Sequence, residues 1–198
     1  MHQLSLTLIA ATCLTLAACS KNDSPPSTVS TPAAATGASP VASVAPYDQV
    51  ASSAKGFTVG ALMSAQTVYV LFDPQCPHCG KLWQASLALH NKVKFVWIPI
   101  AFKPGTSVSQ GAALLTAGNA IDAMTAHEES LLAGKGGMAA SADVSSELTN
   151  SIKVNTQLLN VLGADSVPFI LSKNKSTGQV ITHSGAMETA ALAEFLGV

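Results

Sequence analysis

Two cysteines three positions apart, at the junction of a strand-like run and a helix-like run, constrain this chain more than any other feature. Val68-Tyr69-Val70-Leu71-Phe72 is apolar and β-prone, Asp73-Pro74-Gln75-Cys76-Pro77-His78-Cys79 follows, and Lys81 to Leu87 has helical spacing. In the first turn of a helix, residues three apart share one side, with Cβ atoms about 5–6 Å apart. A modest rotation there reaches the Cα separations of roughly 4.4–6.8 Å that a disulfide tolerates. The pair can therefore cycle between dithiol and disulfide with little backbone movement. Pro77 suits the first helical position, where its missing N–H costs nothing. That makes Cys76 the N-cap, aimed at the unpaired N–H groups of His78 and Cys79. The helix dipole favours an anion there by about 0.3–1 kcal/mol, up to ~2 where partly buried. N–H···S hydrogen bonds and a donor or cationic His78 lower the thiol pKa further. Cys76 is thus the expected nucleophile, His78 its tuning residue and Cys79 the resolving thiol. Asp73 either tunes the site or caps the strand end.

The remaining cysteines, Cys13 and Cys19, both lie in the first twenty of 198 residues, so no second pair is left to form a structural staple. A zinc site needs two further ligands, and His90, His127 and His183 are isolated in the sequence. A c-type haem needs His directly after the second Cys, where Gly80 stands. No metal and no cofactor beyond the redox pair itself is expected. A net charge of −1, with ten basic residues that are all lysine, excludes the basic footprint of a nucleic-acid binder.

The N-terminus reads as an export signal. Met1–Ala18 has no Lys, Arg, Asp or Glu, and its apolar run has signal-peptide length, short for a spanning helix. Leu16-Ala17-Ala18-Cys19 is similar to a bacterial lipobox, which implies lipidation at Cys19 and a membrane anchor on the periplasmic side. Residues 19–46 collapse to Ser, Thr, Pro, Ala, Gly and Val after a short polar start. Such a segment cannot bury enough apolar surface to offset its ordering entropy, so a disordered tether is expected. Its coil span is about 30 Å.

The domain is expected over 47–198. Tyr47–Ala54 reads as a lead-in helix and Gly56–Val59 as a short extended piece. Val68–Phe72 is uniformly apolar, as in a central strand covered on both faces. The helix after the cysteines is expected to turn Leu82, Trp83, Ser86 and Leu87 inward, and Phe95–Ile100 to form a second strand that ends near Pro99. This is a right-handed βαβ unit with a parallel pair. Helices follow at Ser107–Ala117, at Asn119–Leu132 with Ile121, Met124, Leu131 and Leu132 inward, and at Ser145–Leu162 with Gly163 as its stop. Phe169–Leu171 and Gln179–Thr182 form an antiparallel hairpin, and Met187–Leu196 is a closing helix with Ala191, Leu192, Phe195 and Leu196 inward. The fold class is α/β, and the order matches a thioredoxin fold with a helical insertion between its βαβ and ββα halves.

Phe72-Asp73-Pro74-Gln75-Cys76-Pro77-His78-Cys79 resembles the active-site segment of the periplasmic Dsb thiol-disulfide oxidoreductases, with the catalytic domain of the DsbC/DsbG branch most similar. The stretch from Asn155 through Val167-Pro168-Phe169 looks like the same branch. The resemblance implies that Pro168 is a cis-proline and that Val167 offers its backbone to an incoming peptide, which pairs as an added strand. It implies disulfide exchange with cysteine-containing periplasmic proteins and recharging by a membrane partner of DsbD or DsbB type. Three departures bear on direction. Pro77-His78 and Val167 are like DsbA, an oxidase, and only a tether stands where DsbC and DsbG carry a dimerisation domain, so a monomer is expected. Gln75 in place of Trp argues against a thioredoxin or a cytochrome-maturation reductase. The alternative is a metallochaperone that holds copper or zinc through Cys76, Cys79 and His78 or His183.

Overall fold

A computed structural model describes residues 45–140 and 143–198. The expected signal peptide, Cys19 and the tether up to residue 44 lie outside them. Eleven elements follow in order: α1 (Pro46–Ser53), β1 (Phe57–Gly60), β2 (Thr67–Phe72), α2 (Pro77–Leu87), β3 (Lys94–Pro99), α3 (Ser107–Leu115), α4 (Ala120–Leu132), α5 (Ser146–Val161), β4 (Phe169–Lys173), β5 (Val180–Ser184) and α6 (Thr189–Leu196).

The strands form one sheet in the order β1-β3-β2-β4-β5. β2 and β3 run parallel, from Thr67 opposite Lys94 to Phe72 opposite Pro99, joined by α2 as the βαβ reading requires. β4 pairs antiparallel with β2, and β5 with β4. The α/β class and the thioredoxin arrangement with inserted helices are therefore present. β2 is the central strand, and Val68, Val70, Leu71 and Phe72 are all essentially inaccessible to solvent. Its C-terminal end delivers the chain to the cysteines.

The short extended piece has a larger role than its sequence suggests. β1 pairs antiparallel with β3, Phe57 opposite Trp97, and covers what would otherwise be an open edge of the parallel pair. Gly56, just before it, is needed there because a Cβ would stand 2.6 Å from the carbonyl oxygen of Trp97. Phe57, Phe72, Trp97 and Trp83 then stack edge to face through the core, with successive ring centroids 5.2–6.1 Å apart, a geometry that aromatic quadrupoles favour.

Around the sheet the helices form two linked sets: α2 contacts α4 and α6, α5 contacts α1, α3 and β3, and α3 against α4 joins the two. Their ends follow local chemistry. The Asn119 side chain accepts from the N–H groups of Ile121 and Asp122 and starts α4. Ser145 accepts from Leu148 N and starts α5, and Gly163, at φ +67°, lets the chain turn after it. Asn155 ties α5 to the strands through three hydrogen bonds, with Lys55 N, Lys55 O and Pro99 O.

Three inward assignments fail. Leu87, Ile121 and Ala191 face solvent, and in each case the neighbouring stripe positions fill the interface instead. For α4 those positions are Met124, His127 and Glu128, so two polar residues occupy places where a simple apolar stripe predicts none. Boundaries otherwise shift by at most two residues. Among the described residues no helix is long and apolar enough to cross a membrane.

Candidate active site

β2 ends at Phe72, and the chain turns through Asp73-Pro74-Gln75 into α2. The turn is closed by Cys76 N donating to Asp73 O at 2.9 Å. Cys76 is the N-cap with an extended backbone, φ −98° and ψ 111°, and Pro77 opens the helix. This is the local geometry expected from the sequence, and it puts Cys76 and Cys79 on one side of the first turn. Both are free thiols, Cys76 4% exposed and Cys79 fully buried.

The two sulfurs differ electrostatically. The Cys76 pKa is lowered to about 6, first by the hydrogen bond with the Cys79 side chain, against a burial penalty, then by the backbone N–H groups of Cys79 and His78 and the charge of Lys103. No backbone hydrogen bond to the sulfur closes in the present thiol rotamer. The Cys76 thiol instead points at Val167 O, 3.6 Å away. Burial pushes Cys79 well up, and its contact with Cys76 adds to the rise. One thiol is set to ionise near neutral pH and the other to keep its proton. Alkylation of the reduced protein by iodoacetamide is therefore expected to follow a titration with a midpoint near pH 6, confined to Cys76. A midpoint in the ordinary thiol range near 9 contradicts this electrostatic account.

His78 sits on the exposed side of the turn. Its backbone N–H, rather than its imidazole, is among the groups that lower Cys76. The peptide bond between Val167 and Pro168 is cis, and both residues are buried beside Cys76. His183 lies on β5 with its ring against Phe195, 6.0 Å between centroids. Among the described residues no three of His, Cys, Asp and Glu come together as a group that could hold a metal ion.

Of the residues that hold the turn, the sequence marked only Asp73 for a role there, with tuning and capping left open. Asp73 is completely buried. Its Oδ1 accepts from Gln75 N and Ser107 Oγ, and its Oδ2 accepts from Phe102 N and Lys103 N, all at 2.7–2.8 Å. One carboxylate thus fastens the active-site turn to the loop after β3 and brings Lys103 toward Cys76. Gln75 closes the same junction from outside through Ser107 Oγ and Pro104 O. On the opposite flank, Met138 N donates to His127 Nδ1, which leaves Nε2 with the proton to give to Pro74 O at 2.8 Å. Glu128 is buried against Gly80 with both carboxyl oxygens unpartnered. The available signal for these two was positional. Met124, His127, Glu128 and Leu131 repeat at i, i+3, i+4 and i+7, so the polar pair stands in the buried stripe.

Comparison with known proteins agrees with this geometry. No family model matches the sequence. The chain is 28% identical over 141 residues to the thiol:disulfide interchange protein DsbG of Pseudomonas aeruginosa, across 70% of this chain and 54% of that one. It thus spans about half the length of that curated relative. A periplasmic thioredoxin-like protein from Salmonella enterica serovar Typhimurium has a TM-score of 0.60 at 18% identity, over 77% of this chain and 94% of the other. The catalytic domain of Proteus mirabilis ScsC has a TM-score of 0.59 at 15% identity, over 76% and 92%. At those identities the structures share the fold. The Dsb-type resemblance seen in the active-site segment is met again in sequence, and the solved structures share the fold.

Proposed function

We propose that this protein is a thiol-disulfide oxidoreductase that exchanges disulfides with cysteine-containing periplasmic proteins through Cys76 and Cys79. The observation that carries the reading is the opposed tuning of two adjacent thiols at one helix N-terminus, Cys76 down to about 6 and Cys79 up. In the reduced form, the Cys76 thiolate attacks a substrate disulfide. A mixed disulfide forms, one substrate sulfur leaves as thiolate, and Cys79 then attacks Cys76 to release the other. In the oxidised form the same steps run backwards and a substrate disulfide is made. The Val167 carbonyl beside Cys76 is placed to accept a backbone N–H of the substrate, with Pro168 and Pro77 shaping the floor and rim of the site.

The same electrostatics supports the oxidising direction. A stabilised Cys76 thiolate stabilises the dithiol, which makes the disulfide oxidising. The pair is assigned a potential nearer about −120 mV than the roughly −270 mV of a reductase. Equilibration with glutathione buffers measures it, and a value near the second figure reverses the assignment. Export by residues 1–18, lipidation at Cys19, a tether from there to the start of α1 at Pro46 and recharging by a DsbB- or DsbD-type membrane partner complete the proposal, for a monomer.

The central test is Cys79→Ala in the full chain. Without the resolving thiol, Cys76 adducts with substrate proteins should accumulate and separate from the free protein on non-reducing gels. If cells that make the variant yield no adduct sensitive to reductant, the exchange reading is wrong.

A further inference from the structure

One buried ionisable group in the catalytic neighbourhood has no task in the exchange steps above. Glu128 on α4 is fully shielded from solvent, and neither carboxyl oxygen has a hydrogen-bond partner. Among the described residues it makes no ion pair. A carboxyl buried in this way is a net cost to folding. An apolar residue there would pack as well, so packing does not account for it.

Its position is specific. A Cβ on Gly80, the residue after Cys79, would stand 2.6 Å from Glu128 Oε2, with Leu132 closing the rest of the contact at 3.2 Å. The carboxyl therefore enters α2 at the one position of its first two turns that has no side chain. The groups that face this region are few. Cys76 and Cys79 come from α2, Lys103 acts on Cys76 from the loop after β3, and His127 on α4 is committed to Pro74 and Met138.

Cys79 is a buried thiol that must lose a proton to attack and regain it when it leaves. Water has no ready access to it, because its exposure is 0%. We infer that Glu128 is the proton partner of Cys79 in the resolving step. Glu128, protonated in the resting dithiol, releases its proton to solvent once the mixed disulfide has removed the Cys76 charge. As the Cys79 sulfur then attacks Cys76, its proton passes to the Glu128 carboxylate. The Cys76–Cys79 bond forms, the bond from Cys76 to the substrate sulfur breaks, and the substrate leaves as a thiolate that is protonated by solvent. Two electrons have passed from the cysteine pair to the substrate disulfide, and one proton stays behind on Glu128. In reverse, a substrate thiolate attacks Cys76 and the departing Cys79 thiolate takes that proton back.

The electrostatics give this relay its timing. Burial and then the Cys76 charge raise the Glu128 pKa to about 9. Burial also raises Cys79, so both groups hold a proton in the resting dithiol. When Cys76 enters the mixed disulfide its negative charge disappears, and one of the two causes that keep Glu128 protonated goes with it. Glu128 ionises more readily at the step that needs its basic form.

The inference rests on the exchange reading, and the test separates the two. Reduced full-length protein is mixed with glutathione disulfide, and the glutathione adduct on Cys76 is followed as it forms and resolves, for wild type and Glu128→Gln. Adduct formation should agree within about twofold. Resolution should slow by about 10²-fold, the usual scale of a proton-transfer role, and its pH profile should lose one ionisation. Equal resolution rates with an unchanged pH profile overturn the role of Glu128 and leave the exchange reading intact. No adduct on wild-type Cys76 removes both. An infrared difference spectrum between reduced wild type and wild type carrying the Cys76 adduct needs no variant. It should show carboxylic acid signal converting to carboxylate, and an unchanged carboxyl signal also overturns the inference.

Discussion

Asp73→Ala should lower the stability of the domain by about 3–5 kcal/mol. Hydrogen bonds to a charged acceptor contribute roughly 1.5–3 kcal/mol each, and Asp73 accepts four while fully buried. Alanine leaves the N–H groups of Gln75, Phe102 and Lys103 unpaired, while Ser107 Oγ keeps only its longer bond to Lys103 O at 3.3 Å. Phe102 and Lys103 are exposed and rehydrate, which keeps the total well below the simple sum. Urea unfolding of oxidised wild type and variant measures the change, and a loss below about 1 kcal/mol removes the carboxylate from its central place. The substitution also frees the loop that brings Lys103 toward Cys76, so the alkylation midpoint of any folded variant should move up.

The second large effect is a pH-dependent contest between the two redox forms. The Cys76 pKa falls from 9.0 for an isolated thiol to about 6 in the folded, reduced protein. A depressed folded pKa gives stability that is complete above the unfolded value and is lost as pH falls through the folded one. The reduced form should therefore gain on the oxidised form between pH 6 and 9. At about 1.4 kcal/mol per unit the gain is about 4 kcal/mol at most, and solvent screening at the helix end cuts it to roughly 2. Glu128 works the other way, because a carboxyl raised from 4.5 to about 9 costs the fold stability as pH rises through that range. Burial, the larger cause, acts in both redox forms, and the smaller contribution of the Cys76 charge, present only in the reduced form, trims the gain. Against this stands the disulfide, whose four-residue loop stabilises by only about 2 kcal/mol. The oxidised form should therefore melt higher at pH 5.5, keep a smaller lead at neutrality, and converge with the reduced form by pH 9. Melting curves that keep a constant separation across that range refute the assigned thiolate.

The parts of the fold that local chemistry dictates were legible in the sequence. Cys76-Pro77 announces an N-cap and a first helical residue, Ser145 and Gly163 bracket α5, and the apolar run of β2 declares a covered strand. Long-range pairing was not legible. Nothing in Phe57–Gly60 says that it will lie antiparallel on β3, because a four-residue strand takes its identity from the edge it covers. The site divided in the same way. The cysteines and the Val167-Pro168 pair carry a sequence pattern, whereas Asp73 gains its function only when the loop at Phe102 and Lys103 folds over it. His127 and Glu128 were hidden by reading α4 as a simple apolar stripe. Leu87, Ile121 and Ala191 failed for the complementary reason, since an apolar residue at a stripe's margin is buried only if a neighbouring element reaches that far.

The placement of α4 separates two kinds of change in this protein. The cysteines, the turn and Val167 belong to the thioredoxin framework, but two of the groups pressed against them, at Pro74 and Gly80, arrive on a segment spliced into that framework. Variation in α4 can reset the acidity and proton traffic of the pair while the nucleophile, the resolver and the substrate edge stay as they are. The inserted helix is thus a tuning dial mounted outside the reaction centre. A series at positions 127 and 128 offers a way to grade redox behaviour without altering the Cys-Pro-His-Cys sequence.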